Sequence, residues 1–357
     1  MNVPGKAQIR LLFRNNRFLI FSTLFVAFTL LGGALVYHRF DEGPLRLDPR
    51  LLAPQTLALC AGLLLVYFAA DGLRLYYTVR ALGHHVPFPV LVRLVFVNIF
   101  VSNITPMATG GGVVQVWYLR HAGVPLGTAA AATTIRTTLA VLVIFSLTPV
   151  FLLSMDFLTQ ALNWSTRLTL YLVAFIAAYL GVLGVAIFRS RWLLVPVSRL
   201  LQLAVRLHLM REPRARRLRF RLCRELVLLH RGFLDFLSGR GGARLLAVFF
   251  TLIFLLSLFS FPAVLLHALG YDLEYLRVLG IQTVTTFVMY FAPTPGASGI
   301  AEGAFAHFFS NLVAPGHVLL VTFCWRLLTI YLGMIIGFLI LKRDAIQVLA
   351  WRSGRDV

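Results

Sequence analysis

Apolar runs of about 20 residues recur along this chain, and they constrain its fold more than any other feature. Each run is long enough to cross a hydrocarbon core of about 30 Å as a helix. The 357 residues are 59% hydrophobic and 13% charged, whereas a soluble domain carries about 25% charged residues. We therefore expect a single integral membrane domain over residues 1–357, an all-α polytopic helix bundle.

Six of the apolar runs are expected to cross the membrane fully. Their approximate bounds are 18–37, 51–80, 128–153, 168–188, 245–269 and 316–341. The first is too long for the apolar region of a signal peptide and has no convincing cleavage site after it, so we expect it to stay attached.

The net charge of +20 comes from 33 Lys and Arg against 13 Asp and Glu. The basic residues cluster between apolar runs, which is typical of cytoplasmic loops that face anionic lipid. Because no nucleic-acid reader motif accompanies them, nucleic acid is not an expected partner. The charge bias predicts that both termini are cytoplasmic. The three cysteines are scattered without metal-ligand spacing, and we expect neither a metal nor a cofactor.

Two further apolar stretches are interrupted by proline and glycine, at residues 105–112 and 293–299. Proline removes a backbone donor and glycine favours non-helical backbone. In lipid, such backbone persists only where it is buried in protein or lines a wet cavity. Each stretch is therefore predicted to form a re-entrant hairpin, the first entering from the cytoplasm and the second from outside. Asn98 and Asn103 are expected to cap backbone groups freed at the first break.

The two breaks match each other along the sequence. A long apolar helix with an early arginine follows each break, with Arg136 after the first and Arg326 after the second. Units at about 88–153 and 277–341 would then form an inverted-topology repeat, the architecture of many transporters. The alternative is two unrelated kinks, since proline and glycine are frequent in transmembrane helices. The matched residues keep an offset of 189, and they are Thr105, Pro106 and Gly110 against Thr294, Pro295 and Gly299.

Glu302 is the sharpest candidate for a functional residue. A carboxylate at membrane depth is costly unless it is paired or wetted, and the same holds for Arg136 and Arg326. We expect the two arginines to face a central cavity and bind a lipid phosphate, because the planar guanidinium donates two bonds at once. Glu302 would pair an arginine or a cationic headgroup. The alternative is a purely structural Glu302–Arg326 bridge. Gln115 is a further polar candidate, and Asp71 and Arg74 form a helical pair of structural or interfacial role.

Residues 189–244 carry fourteen arginines against three acidic residues, a net of +11. Leucines and Phe233 between Leu218 and Leu237 repeat every three or four residues, which indicates an amphipathic helix. We expect this segment to lie in the cytoplasm against anionic inner-leaflet lipids. A helix that packs against the bundle is the alternative.

The second break and its surroundings resemble a known family. Residues 293–305, with Trp325-Arg326 and residues 331–337 downstream, look like the late signature of a flippase-like membrane family. That family includes the transmembrane domain of lysylphosphatidylglycerol synthases. Residues 98–123, followed by Arg136, resemble its first signature. One departure is Val113-Val114, where that signature often carries a glutamate just after the glycines.

The resemblance implies a lipid translocase of a bacterial-type cytoplasmic (inner) membrane. Its substrate would be an aminoacylated phospholipid or a lipid-linked glycan, bound by a central site that Pro295, Gly299, Glu302 and Arg326 line. Since an aminoacyl-transferase domain is lacking here, we expect the chain to move a lipid that is made elsewhere. The remaining residues of the predicted substrate-binding set are Arg136, Thr294, Pro106, Gly110 and Gln115.

Two other functional classes stay open at the level of sequence. One is a membrane-embedded transferase acting on polyprenyl-linked substrates, which would need a metal or an acid–base cluster at one membrane face. The other is a non-catalytic partner that anchors a lipid-modifying enzyme through residues 189–244. The chain has no Walker A sequence, nucleophile elbow or HExxH motif. We therefore expect a transporter that is not an enzyme.

Overall fold

The computed structural model describes residues 48–154, 166–189 and 212–353, together with a few isolated positions outside these ranges. The expected first span at 18–37, residues 155–165 and residues 190–211 of the basic segment lie largely or wholly outside the described residues. A short 3-10 turn at Pro49–Leu52 precedes the helices, and a π-helical segment at Leu327–Tyr331 joins the last two. The helices are α1 (Pro54–Ala81), α2 (Phe88–Ile104), α3 (Thr109–His121), α4 (Leu126–Ser154), α5 (Thr166–Phe188), α6 (Glu212–Ser238), α7 (Gly241–Ala268), α8 (Tyr275–Tyr290), α9 (Ile300–Phe309), α10 (Pro315–Arg326) and α11 (Leu332–Ser353).

Within the described residues, five helices are long and apolar enough to cross a membrane. They correspond to the second to sixth expected spans, which are thereby confirmed as long apolar helices, and the protein is a polytopic helical bundle. Leucines on their outer faces are largely exposed, with Leu65 at 72% and Leu245 at 74%. Such surface is stable in lipid because hydrocarbon chains cover it. The spans are Pro54–Ala81, Leu126–Ser154, Thr169–Phe188, Gly241–Ala268 and Pro315–Arg343.

The helices α1 and α7 form the most extensive helix pair of the bundle. Tyr67 of α1 stacks on Phe254 of α7 with 5.1 Å between ring centroids, and meets Phe261 edge to face at 6.0 Å. Offset and edge-to-face aromatic pairs add roughly 0.5–1.5 kcal/mol each to the burial of their surface. This aromatic contact fixes α1 against α7 and so places the polar residues of α1 inside the bundle.

Two helix–break–helix units pack against each other in a reciprocal way. In the first, α2 folds back on α3 and α4 follows, while in the second α8 folds back on α9 and α10–α11 follow. The long helix of each unit contacts the first helix of the other, because α4 packs on α8 and α11 packs on α2. These reciprocal contacts are the ones expected if the two units are related by a local two-fold axis. The orientation of each unit in a membrane stays a prediction.

The contact between α11 and α2 depends on two glycines that the sequence analysis did not single out. Gly333 and Gly337 are four residues apart, the spacing of a small-residue helix interface. A Cβ on Gly333 would lie 3.1 Å from the Ile99 side chain, and one on Gly337 would lie 2.1 Å from the Phe96 carbonyl oxygen. The glycines therefore let the two helices approach to backbone contact.

The described part of the basic segment, α6, docks on the bundle at its C-terminal end. Phe233 and Phe236 are buried in a cluster with Ile135 of α4 and Ile187 of α5. Toward the N-terminus most of the described side chains are exposed, with Phe220 at 71%, although Ala215 is buried. The packed-helix alternative therefore holds for the C-terminal end, and contact with inner-leaflet lipids stays a prediction for the rest.

Candidate functional site

The two breaks meet inside the bundle. Pro106 and Pro295, the prolines matched by sequence offset, form an isolated antiparallel backbone bridge. The bridge joins equivalent positions in antiparallel register, which is the arrangement that the predicted inverted repeat requires. Two backbone hydrogen bonds recur at equivalent positions of the two turns. In the first turn, Ala108 N donates to Thr105 O at 3.2 Å and Thr109 N donates to Pro106 O at 3.3 Å. In the second turn, Ala297 N donates to Thr294 O at 3.1 Å and Ser298 N donates to Pro295 O at 3.1 Å.

Each turn also holds two successive residues in the left-handed region of backbone conformation. Met107 and Ala108 have φ of 53° and 54°, and their counterparts Gly296 and Ala297 have φ of 58° and 53°. For a residue other than glycine this conformation costs roughly 1–2 kcal/mol. Strain of this kind persists where the surrounding structure imposes it, and it is concentrated at functional sites.

The sequence predicts that the three glycines at 110–112 form part of the first break. This prediction is wrong, because they lie in the first turn of α3. The reason is the close approach of α3 to α2. A Cβ on Gly111 would lie 1.8 Å from Ser102 Oγ, and one on Gly110 would lie 2.7 Å from Thr105 Cγ2. These glycines provide space for the fold-back of the hairpin, while Pro106 and the two left-handed residues after it provide the break.

The expected capping by Asn98 and Asn103 is wrong. Asn103 donates to the Ile99 carbonyl at 2.8 Å within α2, and Asn98 Oδ1 accepts from Gln115 Nε2 of α3 at 2.6 Å. Gln115 is 3% exposed and thus fastens α3 to α2. The freed amide of Gly110 is capped instead by Thr105 Oγ1 at 3.0 Å.

In the second unit a buried ion pair ties the long helix to the break. Arg326 Nε lies 2.8 Å from Glu302 Oε1, and the two residues are 0% and 3% exposed. Arg326 Nη2 also donates to the Gly296 carbonyl at 3.0 Å, and Glu302 Oε2 accepts from Gly299 N at 2.7 Å. Thr294 closes the same turn by donating to the Ser298 carbonyl at 2.9 Å.

The π-helical segment begins directly after Arg326. Single π-turns within α-helices are rare and occur frequently at functional sites. Here the segment separates the part of the span that carries Arg326 from α11, which packs on the first unit. Arg326 is therefore located next to an irregular stretch of the span.

Arg136 of the first unit pairs with a carboxylate on α1, which lies outside that unit. Val113 occupies the position equivalent to Glu302, since 302 less 189 is 113, so the first hairpin offers Arg136 no acid. Arg136 Nη2 instead pairs with Asp71 Oδ1 of α1. The same oxygen accepts from Arg74 Nε at 2.8 Å. The expected Asp71–Arg74 pair is thereby confirmed as a contact, and both residues are buried.

Comparison with known proteins bears on this arrangement, because residues 18–337 match the family model described as the lysylphosphatidylglycerol synthase TM region. The chain belongs to this family. The match includes both breaks and both buried ion-pair groups. A relative from Archaeoglobus fulgidus (strain ATCC 49558 / DSM 4304 / JCM 9628 / NBRC 100126 / VC-16), a UPF0104 membrane protein, is 28% identical over 266 residues, covering 74% of this chain and 79% of the relative.

The protein contains two buried charged sites, one within the second unit and one where α1 meets Arg136 of the first unit. The sequence analysis identified Glu302, Arg326 and Arg136, and the structure adds Asp71 as the partner of Arg136. The signal that could have indicated that partner is the presence of Asp71 within an apolar span, since an intramembrane carboxylate needs a cation. The role of these residues in substrate binding stays a prediction.

Among its described residues, the protein has no group of three or more His, Cys, Asp or Glu side chains that could hold a metal ion. The chemistry that its two sites offer is ion pairing and hydrogen bonding within a desolvated setting. Arginine can exchange a carboxylate partner for a phosphate, because both present oxygens in the geometry that the guanidinium matches.

Proposed function

We propose that this protein is a lipid translocase that moves a phosphate-bearing lipid between the leaflets of a cytoplasmic membrane. The observation that carries the proposal is the direct link between a buried ion pair and a break. Arg326 binds both Glu302 and the Gly296 carbonyl of the turn that meets Pro106. Broken helices that meet in a membrane bundle and carry charge are the usual setting of a transport site.

An exchange of partners gives this geometry a mechanism. A lipid phosphate that binds Arg326 takes the place of Glu302, and Glu302 becomes free to accept a cationic headgroup such as an aminoacyl group. Because Arg326 also holds the Gly296 carbonyl, its movement shifts the second break, which is bridged to the first. Headgroup binding and movement of the breaks are thereby coupled.

The membrane lipid is also a partner at the surface. In the described part of the basic segment, exposed Arg216, Arg217 and Arg219 lie on the first turns of α6. Each basic residue near an anionic leaflet contributes about 1 kcal/mol of attraction. We propose that this end of α6 contacts the inner leaflet while its other end is anchored on α4 and α5.

Leaflet exchange in proteoliposomes tests the proposal. The labelled lipids should span zwitterionic, anionic, lysyl-bearing and polyprenyl-phosphate headgroups, and wild type should be compared with Glu302→Gln. A matched control is Glu212→Gln, because Glu212 is an exposed carboxylate that also pairs with an arginine, at 2.7 Å. We expect headgroup-selective exchange that Glu302→Gln abolishes and Glu212→Gln retains.

The opposite results are equally informative. Exchange that survives Glu302→Gln at the wild-type rate would leave the Glu302–Arg326 pair a purely structural bridge. Absence of exchange for every lipid in the panel would overturn translocation. The open alternatives would then be a transferase on polyprenyl-linked substrates and a non-catalytic membrane partner of a lipid-modifying enzyme.

A further inference from the structure

The charges buried within the bundle do not balance. Among the described residues, five charged side chains are buried: Asp71, Arg74, Arg136, Glu302 and Arg326. Three arginines against two carboxylates leave a net charge of +1. An uncompensated charge in a low-dielectric interior is strongly unfavourable, so a counter-ion is expected close to it.

The surplus charge lies where α1 meets Arg136 of the first unit, and not in the second unit. Glu302 and Arg326 form a neutral pair. Asp71 is shared by two arginines, Arg74 and Arg136, so this cluster has one negative and two positive charges. We refer to Asp71, Arg74 and Arg136 as the arginine triad.

The arginine triad also has unused donors. Arg74 Nη1 and Arg136 Nε are buried and have no hydrogen-bond partner among the described residues. Arg74 and Arg136 are 7% and 4% exposed. Both side chains are held in place, because Asp71 Oδ1 fixes one side of each guanidinium and Phe254 covers the face of Arg74 at 3.6 Å from the ring centroid. Two fixed donors on neighbouring arginines suit an oxyanion that has several acceptor oxygens.

Arg326 also has an unpartnered donor, its Nη1. The charge balance separates the two sites, however. Binding an anion at the neutral Glu302–Arg326 pair creates a net negative charge unless Glu302 leaves, whereas binding at the arginine triad removes the existing positive charge. On the balance of charge alone, the arginine triad is therefore the more favourable of the two sites for an anion.

We propose that the arginine triad is an anion site that binds a phosphate group, with Arg74 and Arg136 as its donors and Asp71 as the residue that positions them. The anion site stands independently of the proposed function. Only the identification of the phosphate as part of a lipid headgroup rests on that function. Asp71 limits the site to one surplus charge, which matches the single negative charge of a phosphodiester. Arg74, which the sequence analysis treated as structural or interfacial, thus becomes a binding residue.

Thermal unfolding of the purified full-length protein in neutral detergent tests the site without requiring transport. The probes are inorganic phosphate and the short-chain lipid dihexanoyl phosphatidylglycerol, each titrated at constant ionic strength maintained with gluconate. A ligand that binds only the folded state raises the unfolding temperature progressively with its concentration. We expect such a rise for wild type with at least one of the two probes.

Three variants test whether the rise in unfolding temperature depends on the arginine triad. Arg74→Gln makes the triad neutral, so we expect it to fold and to lose the anion-dependent rise. Arg216→Gln makes the same chemical change at an exposed arginine, 79% exposed at its side chain, and should respond as wild type does. Asp71→Asn, which adds a further surplus charge, should respond at lower anion concentration if it folds.

The outcomes are distinguishable. A response to inorganic phosphate indicates an anion site open to free phosphate, and a response to the lipid alone indicates a headgroup site; either supports the inference. Absence of a response to both probes in wild type, or an equal response in Arg74→Gln and wild type, overturns it. Because leaflet exchange is measured separately, loss of exchange with an intact triad response would reject the translocase while leaving the anion site in place.

Discussion

Pro106 and Pro295 are bridged in antiparallel register although 189 residues separate them in the sequence. The bridge joins two turns that have the same backbone hydrogen bonds and the same pair of left-handed residues. Since each proline lies in the break of its own helix–break–helix unit, the two breaks are in direct backbone contact at this point. The buried ion pair of the second unit is attached to the same turn through Arg326 and Gly296.

The Glu302–Arg326 pair should separate stability from function. Glu302→Gln leaves Arg326 as an uncompensated buried charge, and we expect a loss of about 3–5 kcal/mol in the free energy of unfolding. Adding Arg326→Met removes that charge and should restore most of the stability, since the glutamine amide can still cap Gly299. Denaturant unfolding in detergent measures the stability of both variants, and leaflet exchange measures their function. Exchange that returns together with stability in the double variant would show that the pair is only structural.

The contact between α11 and α2 should not tolerate a side chain at Gly337. Its Cβ would meet the Phe96 backbone oxygen at 2.1 Å, and a backbone atom cannot rotate away. We expect Gly337→Ala to destabilise the protein by about 1–3 kcal/mol, the usual range for overpacking.

Gly303→Ala is the matched control for that change, because Gly303 is helical and a Cβ there meets nothing within 4 Å. It should be neutral or stabilising by up to about 1 kcal/mol, the helix-propensity difference between the two residues. Equal effects at Gly337 and Gly303 would contradict the close approach of α11 to α2.

The left-handed conformation of Ala108 predicts a gain of stability from a glycine. Ala108 is exposed and has φ of 54°, so Ala108→Gly should relieve roughly 1 kcal/mol of strain with little loss of contact. The same change at Ala130, within α4, should cost about 1 kcal/mol because glycine is a poor helix former. Opposite signs in thermal unfolding support the observed turn, whereas two losses of similar size would argue against it.

The segment before α1 has a pH-dependent contact outside the membrane spans. Hydrogen bonds from Arg50 lower the pKa of Asp48 to about 2, from 3.8. A lowered pKa in the folded state favours the ionised form, so the contribution of Asp48 is complete above about pH 5 and is lost as the pH falls through about 2. The difference in unfolding temperature between wild type and Asp48→Asn should therefore shrink toward zero near pH 2. In an Arg50→Gln background this pH dependence should be smaller but still present, because the backbone N–H of residue 50 still donates to Asp48. An undiminished pH dependence there would exclude the Arg50 side chain as its main cause.

Much of the fold follows from local features of the sequence. The spans at 54–81 and 241–268 are visible as apolar runs, because crossing a hydrocarbon core sets a minimum length of apolar helix. The breaks are also local, since Pro106 and Pro295 each remove a backbone donor. The role of the glycines at 110–112 was misassigned because their sequence does not distinguish a flexible turn from a close helix contact.

The residues of the candidate site were identified only in part. Arg136, Glu302 and Arg326 could be recognised because charged residues in apolar runs need partners. The identity of the partner could not be derived, because Asp71 is 65 residues away from Arg136 and on another helix. Likewise, α6 shows its amphipathic pattern in the sequence, but the pattern alone does not indicate whether lipid or α4 covers its apolar side.

The sequence by itself determined the class of protein, five of the spans, the position of both breaks and the equivalence of their Thr-Pro pairs, because apolar length and proline act locally. The tertiary structure alone decided that Pro106 meets Pro295 and that Arg136 and Arg74 share Asp71, which leaves a surplus charge at the contact of α1 with α4. A charge-assisted hydrogen bond forms only when its donor and acceptor atoms come within about 3 Å. That separation depends on how the helices cross and rotate against one another, which no single segment of the chain specifies.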